Sequence, residues 1–272
     1  MTRAAVLQMV SSAQVKENLQ SLDQFCLDAK EAGAELLVLP ENFAFMGTDD
    51  KAKLLIAETY GEGEIQQAVG QLAKRYKLWM IAGTIPIKCS KDKVKASSFV
   101  FDEKGNTVAH YDKIHLFDVG VSTQEAYQES LSIERGDIAV VVDTPVGCVG
   151  LSVCYDLRFP ELYRQLVLKG AELFSIPSAF TATTGRAHWE ILLRARAIEN
   201  LCYVLAPNQG GVHASGRHTY GHSLIIEPWG TILAEQPVEP GVIVADIDLE
   251  HLRTLRRQFP CNDHHVYCAR SI

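Results

Sequence analysis

Cys154 is the residue of this chain best set for nucleophilic chemistry. It follows the apolar run Val149-Gly150-Leu151-Ser152-Val153 and precedes Tyr155-Asp156-Leu157-Arg158-Phe159-Pro160-Glu161. A buried strand, a sharp turn and a helix with Pro160 in first position would lift the thiol at a strand end, as a nucleophile elbow lifts a serine. Backbone N–H groups of such a turn, that of Tyr155 foremost, can meet an oxyanion. Most cysteines are simply buried, and the polar neighbours Asp156 and Arg158 argue against that fate here. The settings of Cys26, Cys89, Cys148 and Cys202 are blander: the apolar face of a helix, a loop and two strand-like runs.

An unperturbed thiol has a pKa of about 8.5, so little of it is thiolate at neutral pH, and a base or a nearby cation must activate it. Glu41 ends the apolar run Leu36-Leu37-Val38-Leu39-Pro40. A carboxylate in that position either caps the next segment or is held with a raised pKa, as a general base requires. Lys113, in His110-Tyr111-Asp112-Lys113-Ile114-His115-Leu116, is a candidate cation only in the company of the other two, since a lysine at a strand end usually reaches for water.

These residues need a scaffold that gathers strand ends. Short apolar strands alternate with amphipathic segments along the whole chain, the pattern of an α/β fold. Strands are expected at, among others, Glu35–Leu39, Leu78–Thr84, Thr107–Tyr111 and Val149–Val153, and helices at Val15–Glu31, Glu64–Tyr76, Pro160–Lys169, Ala187–Leu201 and Leu249–Arg256. The sequence also echoes itself. Gly33-Ala34-Glu35-Leu36 leads to Pro40 and Phe43, and Gly170-Ala171-Glu172-Leu173 leads to Pro177 and Phe180 at the same offsets. Ser98-Phe99-Val100-Phe101-Asp102 with Gly105 is matched in turn by Ser223-Leu224-Ile225-Ile226-Glu227 with Gly230. Two similar halves related by a pseudo-twofold, each with a mixed sheet buried on both faces, give a four-layer αββα sandwich. Glu41 has Ser178 as its counterpart, so the repeated backbone does not by itself demand a carboxylate there. One domain is expected over residues 1–260, with a tail at 261–272.

The three segments resemble the signature blocks of the nitrilase superfamily of carbon–nitrogen hydrolases. Leu39-Pro40-Glu41, Tyr111-Asp112-Lys113-Ile114-His115-Leu116 and Gly150 to Glu161 match those blocks in order and at familiar separations, and the likeness extends to Pro260. The resemblance implies the αββα fold, a homodimer with sheets extended across its interface, and a second glutamate at Glu129, in Tyr127-Gln128-Glu129-Ser130, orienting Lys113 or a water. The segment Asn208 to Ser223 is similar to the branch of the superfamily that hydrolyses deaminated glutathione. That likeness implies a small-molecule amide substrate, an α-keto acid with its amide at the far end, yielding 2-oxoglutarate and Cys-Gly. Members of that branch often carry a cysteine before the first glycine of this stretch, and this chain has Asn208-Gln209-Gly210.

In the chemistry so implied, Glu41 takes the Cys154 proton, Lys113 and the Tyr155 N–H receive the oxyanion, and no metal or organic cofactor is needed. Arg158, Arg186 and Arg217 are the loop-borne cations that could grip a substrate carboxylate bidentately, and pairing with structural acids such as Asp156 is the alternative. An ω-amidase acting on 2-oxoglutaramate and releasing ammonia is the close rival. More distant rivals are a noncatalytic binding protein and a Cys–His peptidase, the latter with His188 as partner, although His188 reads rather as a packed, hydrogen-bonded helix residue.

Composition narrows the remaining classes. The 272 residues carry 26 Lys plus Arg against 33 Asp plus Glu, a formal charge of -7, which disfavours a nucleic-acid or anionic-membrane partner. No apolar run approaches the roughly 18 residues of a membrane span. The odd count of seven cysteines, without framework spacing, suggests free thiols in a reducing, cytoplasmic compartment. The tail Cys261-Asn262-Asp263-His264-His265-Val266-Tyr267-Cys268 has metal-like spacing, but structural zinc usually recruits a second pair or a tighter knuckle. It is expected to be a solvated strap with no metal.

Overall fold

The computed structural model describes residues 1–49, 51–121 and 125–266. The first half runs β1 (Thr2–Gln8), α1 (Val15–Glu31), β2 (Leu36–Val38), α2 (Glu64–Tyr76), β3 (Trp79–Lys88), β4 (Val94–Phe101) and β5 (Thr107–Asp112), then a small hairpin of β6 (Asp118–Gly120) and β7 (Ala126–Gln128). The second half begins with β8 (Val141–Thr144), β9 (Gly147–Leu151), α3 (Pro160–Leu168), β10 (Leu173–Ser175), α4 (Ala182–Asn200) and β11 (Tyr203–Ala206). A second hairpin follows, β12 (Gly210–Val212) and β13 (His218–Tyr220), and then β14 (Ser223–Ile226), β15 (Ile232–Gln236), β16 (Gly241–Ile247) and α5 (Leu249–Gln258).

Two six-stranded mixed sheets result, ordered β16-β1-β2-β3-β4-β5 and β15-β14-β11-β10-β9-β8. In the first, β1, β2 and β3 are parallel, and β4 and β5 follow antiparallel. In the second, β9, β10 and β11 are parallel, and β14 and β15 follow antiparallel. Each sheet gains one further antiparallel strand, β16 beside β1 and β8 beside β9. The internal echo is therefore a repeat of topology. Gly33 and Gly170, at φ +81° and +100°, close α1 and α3 in the left-handed conformation that glycine adopts without strain. The amides that follow repeat one another as well: Ala34 N donates to Ala29 O and Ala171 N to Leu166 O, each at 3.0 Å.

Packing explains the nearly continuous apolar strands. Ala5, Leu7, Leu37 and Leu39 share a buried cluster with Leu22, Cys26, Val69 and Ala73 of α1 and α2. Their alternates Ala4, Val6, Leu36 and Val38 join Val149, Leu151 and Leu173 of the other sheet. Side chains of period two thus serve two apolar faces at once, and helices cover both outer faces, giving the expected αββα layers.

Two local expectations needed correction, and two hairpins were not foreseen. Helix α4 begins at Ala182 rather than Ala187, because Thr181 is a side-chain N-cap that accepts a hydrogen bond from Thr184 N at 3.2 Å. Strand β3 runs past Thr84 to Lys88, with a register shift between Ala82 and Ile85 that admits Pro86. The hairpins β6–β7 and β12–β13 are built from three-residue strands too short to show a period of two.

Candidate active site

Glu41 lies just beyond the carboxyl end of β2, in a turn fixed from two sides. Gly83 of β3 has no side chain where a Cβ would stand 1.9 Å from the Pro40 carbonyl oxygen, so the neighbouring strand can press against the residue before Glu41. Gln209 donates through Nε2 to the Glu41 carbonyl at 3.0 Å and to Ser11 Oγ at 2.8 Å, and its Oε1 accepts from Ser11 N. Lys113 follows β5 and is held in register by its own amide, which donates to Ala96 O at 3.0 Å. Cys154 opens a 3-10 turn, Cys154–Arg158, between β9 and α3, at a left-handed φ of 50°. A non-glycine residue in that conformation is strained and is held there by its surroundings. The elbow expected from the sequence is therefore present.

Asp156 clamps the elbow to the lysine segment. Wholly buried, it accepts from Val153 N and Tyr111 Oη, both at 2.8 Å, and from His115 N at 3.0 Å, and it lies 2.7 Å from His115 Nδ1. The His115 ring stacks on Phe159 with centroids 3.7 Å apart. Asp156 pairs with these groups, so the pairing with an arginine considered from the sequence is not formed.

Glu41, Lys113 and Glu129 meet in one buried cluster. Lys113 Nζ donates to Glu41 Oε1 at 2.8 Å and to both carboxylate oxygens of Glu129 at 2.9 Å. Glu129, on the short turn Glu129–Leu131, also accepts from Phe117 N at 2.7 Å. The Cys154 thiol lies close enough to the Glu41 carboxylate and the Ala179 amide for both to act on its pKa. A backbone donor leaves no mark on a side-chain pattern, so Ala179 could not be foreseen.

Burial is the largest single influence at each group, and charge outweighs it at Glu41 and Lys113 but not at Cys154. For Glu41, burial pushes the carboxyl pKa up, yet Lys113 and Lys53 outweigh it and hold the group below its ordinary value. Of the two settings considered from the sequence, a cap or a raised pKa, the second is not found, because a buried ammonium is in contact with the carboxylate. Burial lowers the pKa of Lys113, and Glu129 and Glu41 together more than reverse that, so it stays cationic. Burial raises the Cys154 thiol well above its normal range, the Glu41 charge raises it further, and Lys113 and the Ala179 amide only partly oppose them. The resting cluster is a neutral thiol beside a carboxylate, suited to passing the proton as sulfur attacks rather than beforehand.

The family model described as carbon-nitrogen hydrolase matches residues 3–257. The chain belongs to the carbon–nitrogen hydrolase family. This hydrolase is 42% identical over 268 residues to a protein of Synechocystis sp. named deaminated glutathione amidase, with 97% of this chain and 98% of that protein covered. Its fold is similar to the crystal structure of Saccharomyces cerevisiae Nit3, a member of branch 10 of the nitrilase superfamily, at a TM-score of 0.86, 32% identity and 95% and 94% coverage. It is also similar to C. elegans NitFhit, at a TM-score of 0.91 and 38% identity, covering 97% of this chain and 65% of that one.

Two spaces adjoin the cluster of this hydrolase. A narrow pocket is lined by Cys154, Phe117, Arg158, Phe180, Thr184 and Arg217. An open cleft of about 750 Å³ is lined by Asn42, Lys53, Tyr127, Thr183 and Arg217 among others, a volume typical of small-molecule sites. Arg217 lies on both, with Nη2 donating to Ala179 O and its guanidinium 4.9 Å from the Tyr127 ring centroid. Its Nε is buried without a hydrogen-bond partner among the described residues. Arg158 faces the Phe180 ring at 5.4 Å. Arg186, expected beside them on a loop, is an exposed residue of α4 and lines neither space. The helix starts ahead of it, and that moves it out of the site.

His188 is exposed on α4 rather than packed, with Nδ1 3.3 Å from Arg158 Nη1. In the tail, Tyr267 and Cys268 lie outside the described residues, and among the described residues no three His, Cys, Asp or Glu side chains gather as metal ligands. Among the described residues no helix is long and apolar enough to cross a membrane.

Proposed function

We propose that this amidase hydrolyses deaminated glutathione to 2-oxoglutarate and Cys-Gly, with Cys154 as nucleophile, Glu41 as general base and acid, and Lys113 as oxyanion donor. The observation that carries this reading is the buried contact of Lys113 with Glu41, at 2.8 Å, beside the Cys154 thiol, in a chain whose full-length relatives bear that substrate's name.

The sulfur attacks the amide carbon while its proton passes to Glu41. An ammonium has three N–H groups. One engages Glu41 and one is shared by the two Glu129 oxygens, leaving a third for the oxyanion alongside the Tyr155 amide, which belongs to the unpaired first turn of its helix. A preorganised donor of this kind is typically worth about 2.7–4 kcal/mol of barrier. As the C–N bond breaks, Glu41 returns the proton to the departing amine. Water then attacks the thioester, Glu41 takes the water's proton, and collapse releases 2-oxoglutarate and restores the thiol. Glu129 is a positioning residue that fixes the Lys113 ammonium.

Arg158 and Arg217 supply the cations for the α-keto acid end of the substrate, and Thr184 adds a hydroxyl. The large open cleft favours a substrate with a sizeable amine portion over 2-oxoglutaramate. The same reading includes a cytoplasmic homodimer. Ile191, Ile198, Trp229 and Phe259 stand 46% to 70% exposed on α4 and its surroundings, an apolar surface suited to a second copy.

The test is turnover by purified protein of deaminated glutathione and 2-oxoglutaramate, measured as Cys-Gly and ammonia release. A higher kcat/KM for deaminated glutathione is expected. Preference for 2-oxoglutaramate would move the assignment to an ω-amidase.

A further inference from the structure

Lys53 stands on the 3-10 turn Ala52–Ile56, half-buried, and lines the open cleft beside Asn42, the residue after Glu41. Among the described residues it has neither an ion-pair nor a hydrogen-bond partner. The carboxylates lining the same cleft are engaged elsewhere. Asp49 caps the turn by accepting from Lys51 N at 2.9 Å and Ala52 N at 3.0 Å. Glu125 accepts from Tyr127 Oη at 2.9 Å and Thr183 Oγ1 at 3.2 Å. A half-buried ammonium with no ion-pair partner among the described residues, in a cleft of substrate size, is a site for an anionic ligand group.

The chemistry says which part of a substrate would meet it. Whatever group protonates the departing nitrogen must touch the amine half of the amide, and Glu41 has that role in the mechanism above. Asn42 carries the chain from Glu41 directly into the cleft wall, and the Lys53 charge is felt at Glu41. Arg158, in contrast, lines the narrow pocket with Cys154 and not the cleft. Arg217 borders both spaces and Arg158 only the narrow pocket, so of these three cations Lys53 alone borders the cleft and not the narrow pocket.

Resting on the amidase reading above, we propose that Lys53 binds a carboxylate at the end of the leaving amine, and so selects amides of acidic amines over primary amides.

The test compares kcat/KM on deaminated glutathione and on the same compound with its terminal carboxylate converted to a carboxamide. Wild-type protein prefers the acid. Lys53→Ala reduces that preference by about ten- to a hundredfold, mostly through KM, as expected for the loss of one hydrogen bond to a charged group. Lys53→Glu turns the preference toward the carboxamide. Any effect of Lys53 exerted through the protonation of Glu41 acts on both compounds alike and cancels in the ratio. A ratio that neither variant moves overturns the assignment of Lys53 and leaves the amidase reading intact. Wild-type protein that hydrolyses neither compound overturns that reading, and the Lys53 assignment falls with it.

Discussion

The Lys113 ammonium lies 2.8 Å from Oε1 of Glu41, a residue 72 positions away in the chain, and the two are only 1% and 4% exposed. Two charges removed from water so completely hold each other in their ionised forms. With Glu129 as the second anion, the cluster carries one net negative charge next to a thiol that burial keeps protonated.

Breaking this cluster at its cation should cost stability as well as rate. Lys113→Met leaves Glu41 buried without its cation and Glu129 with only the Phe117 amide as partner, for an expected loss of about 3–5 kcal/mol. Chemical denaturation measures it. Adding Glu129→Gln removes one orphaned charge and should restore part of the loss. A Lys113→Met protein as stable as wild type would show that the ion pair is not formed.

The pH profile should be broad on its acid side. The pKa of Glu41 is held below its ordinary 4.5 by Lys113 and Lys53, so the acid limb of kcat/KM should fall below pH 4.5 wherever the fold persists. The sign of the stability effect follows. A depressed carboxyl contributes stability above its unfolded pKa, and that contribution is lost as pH falls through the folded value. The raised pKa of Lys113 works at the other end: its contribution is complete below 10.5 and is lost as pH rises through the folded value. Lys53→Ala should shift the acid limb upward, and an unmoved limb would show that Lys53 does not act on Glu41.

Asp156 should matter through geometry. Asp156→Ala orphans the Val153 amide, the Tyr111 hydroxyl and His115, each previously within 3.0 Å of its carboxylate. Unpaired buried groups cost about 1–3 kcal/mol each. A lowered melting temperature with a larger fall in kcat than change in KM is expected, because the displaced elbow carries Cys154, the proposed nucleophile. A variant with wild-type kcat would mean that the elbow holds its φ without the clamp.

The sequence made some of this legible and hid the rest for physical reasons. Glu41 was visible because a carboxylate ended an apolar strand whose repeat partner carries Ser178. The elbow was visible because an apolar run stopped at Cys154 and Pro160 marked a helix start. Lys113 alone carried no signal, since its two partners are distant in sequence or lie on a three-residue turn. The direction of the Glu41 pKa was not readable, because burial and a contacting ammonium pull in opposite directions, and only proximity shows which wins. Arg186 was misplaced because Thr181, as N-cap, starts α4 earlier than the apolar period suggests. The Ala179 amide and the Gln209 bridge depend on tertiary contact alone.

Replacing the proposed nucleophile should abolish chemistry without unfolding the chain. Cys154→Ala should lower kcat on the order of 10⁴-fold or more, the scale seen when a member of a catalytic triad is removed. Its melting temperature should stay within a few degrees of wild type.

The most direct measurement is intact and peptide mass spectrometry of the protein quenched during turnover of deaminated glutathione. A 2-oxoglutaryl adduct on Cys154, absent from Cys154→Ala, is expected. An adduct on another residue, or sustained turnover by Cys154→Ala, would contradict the account.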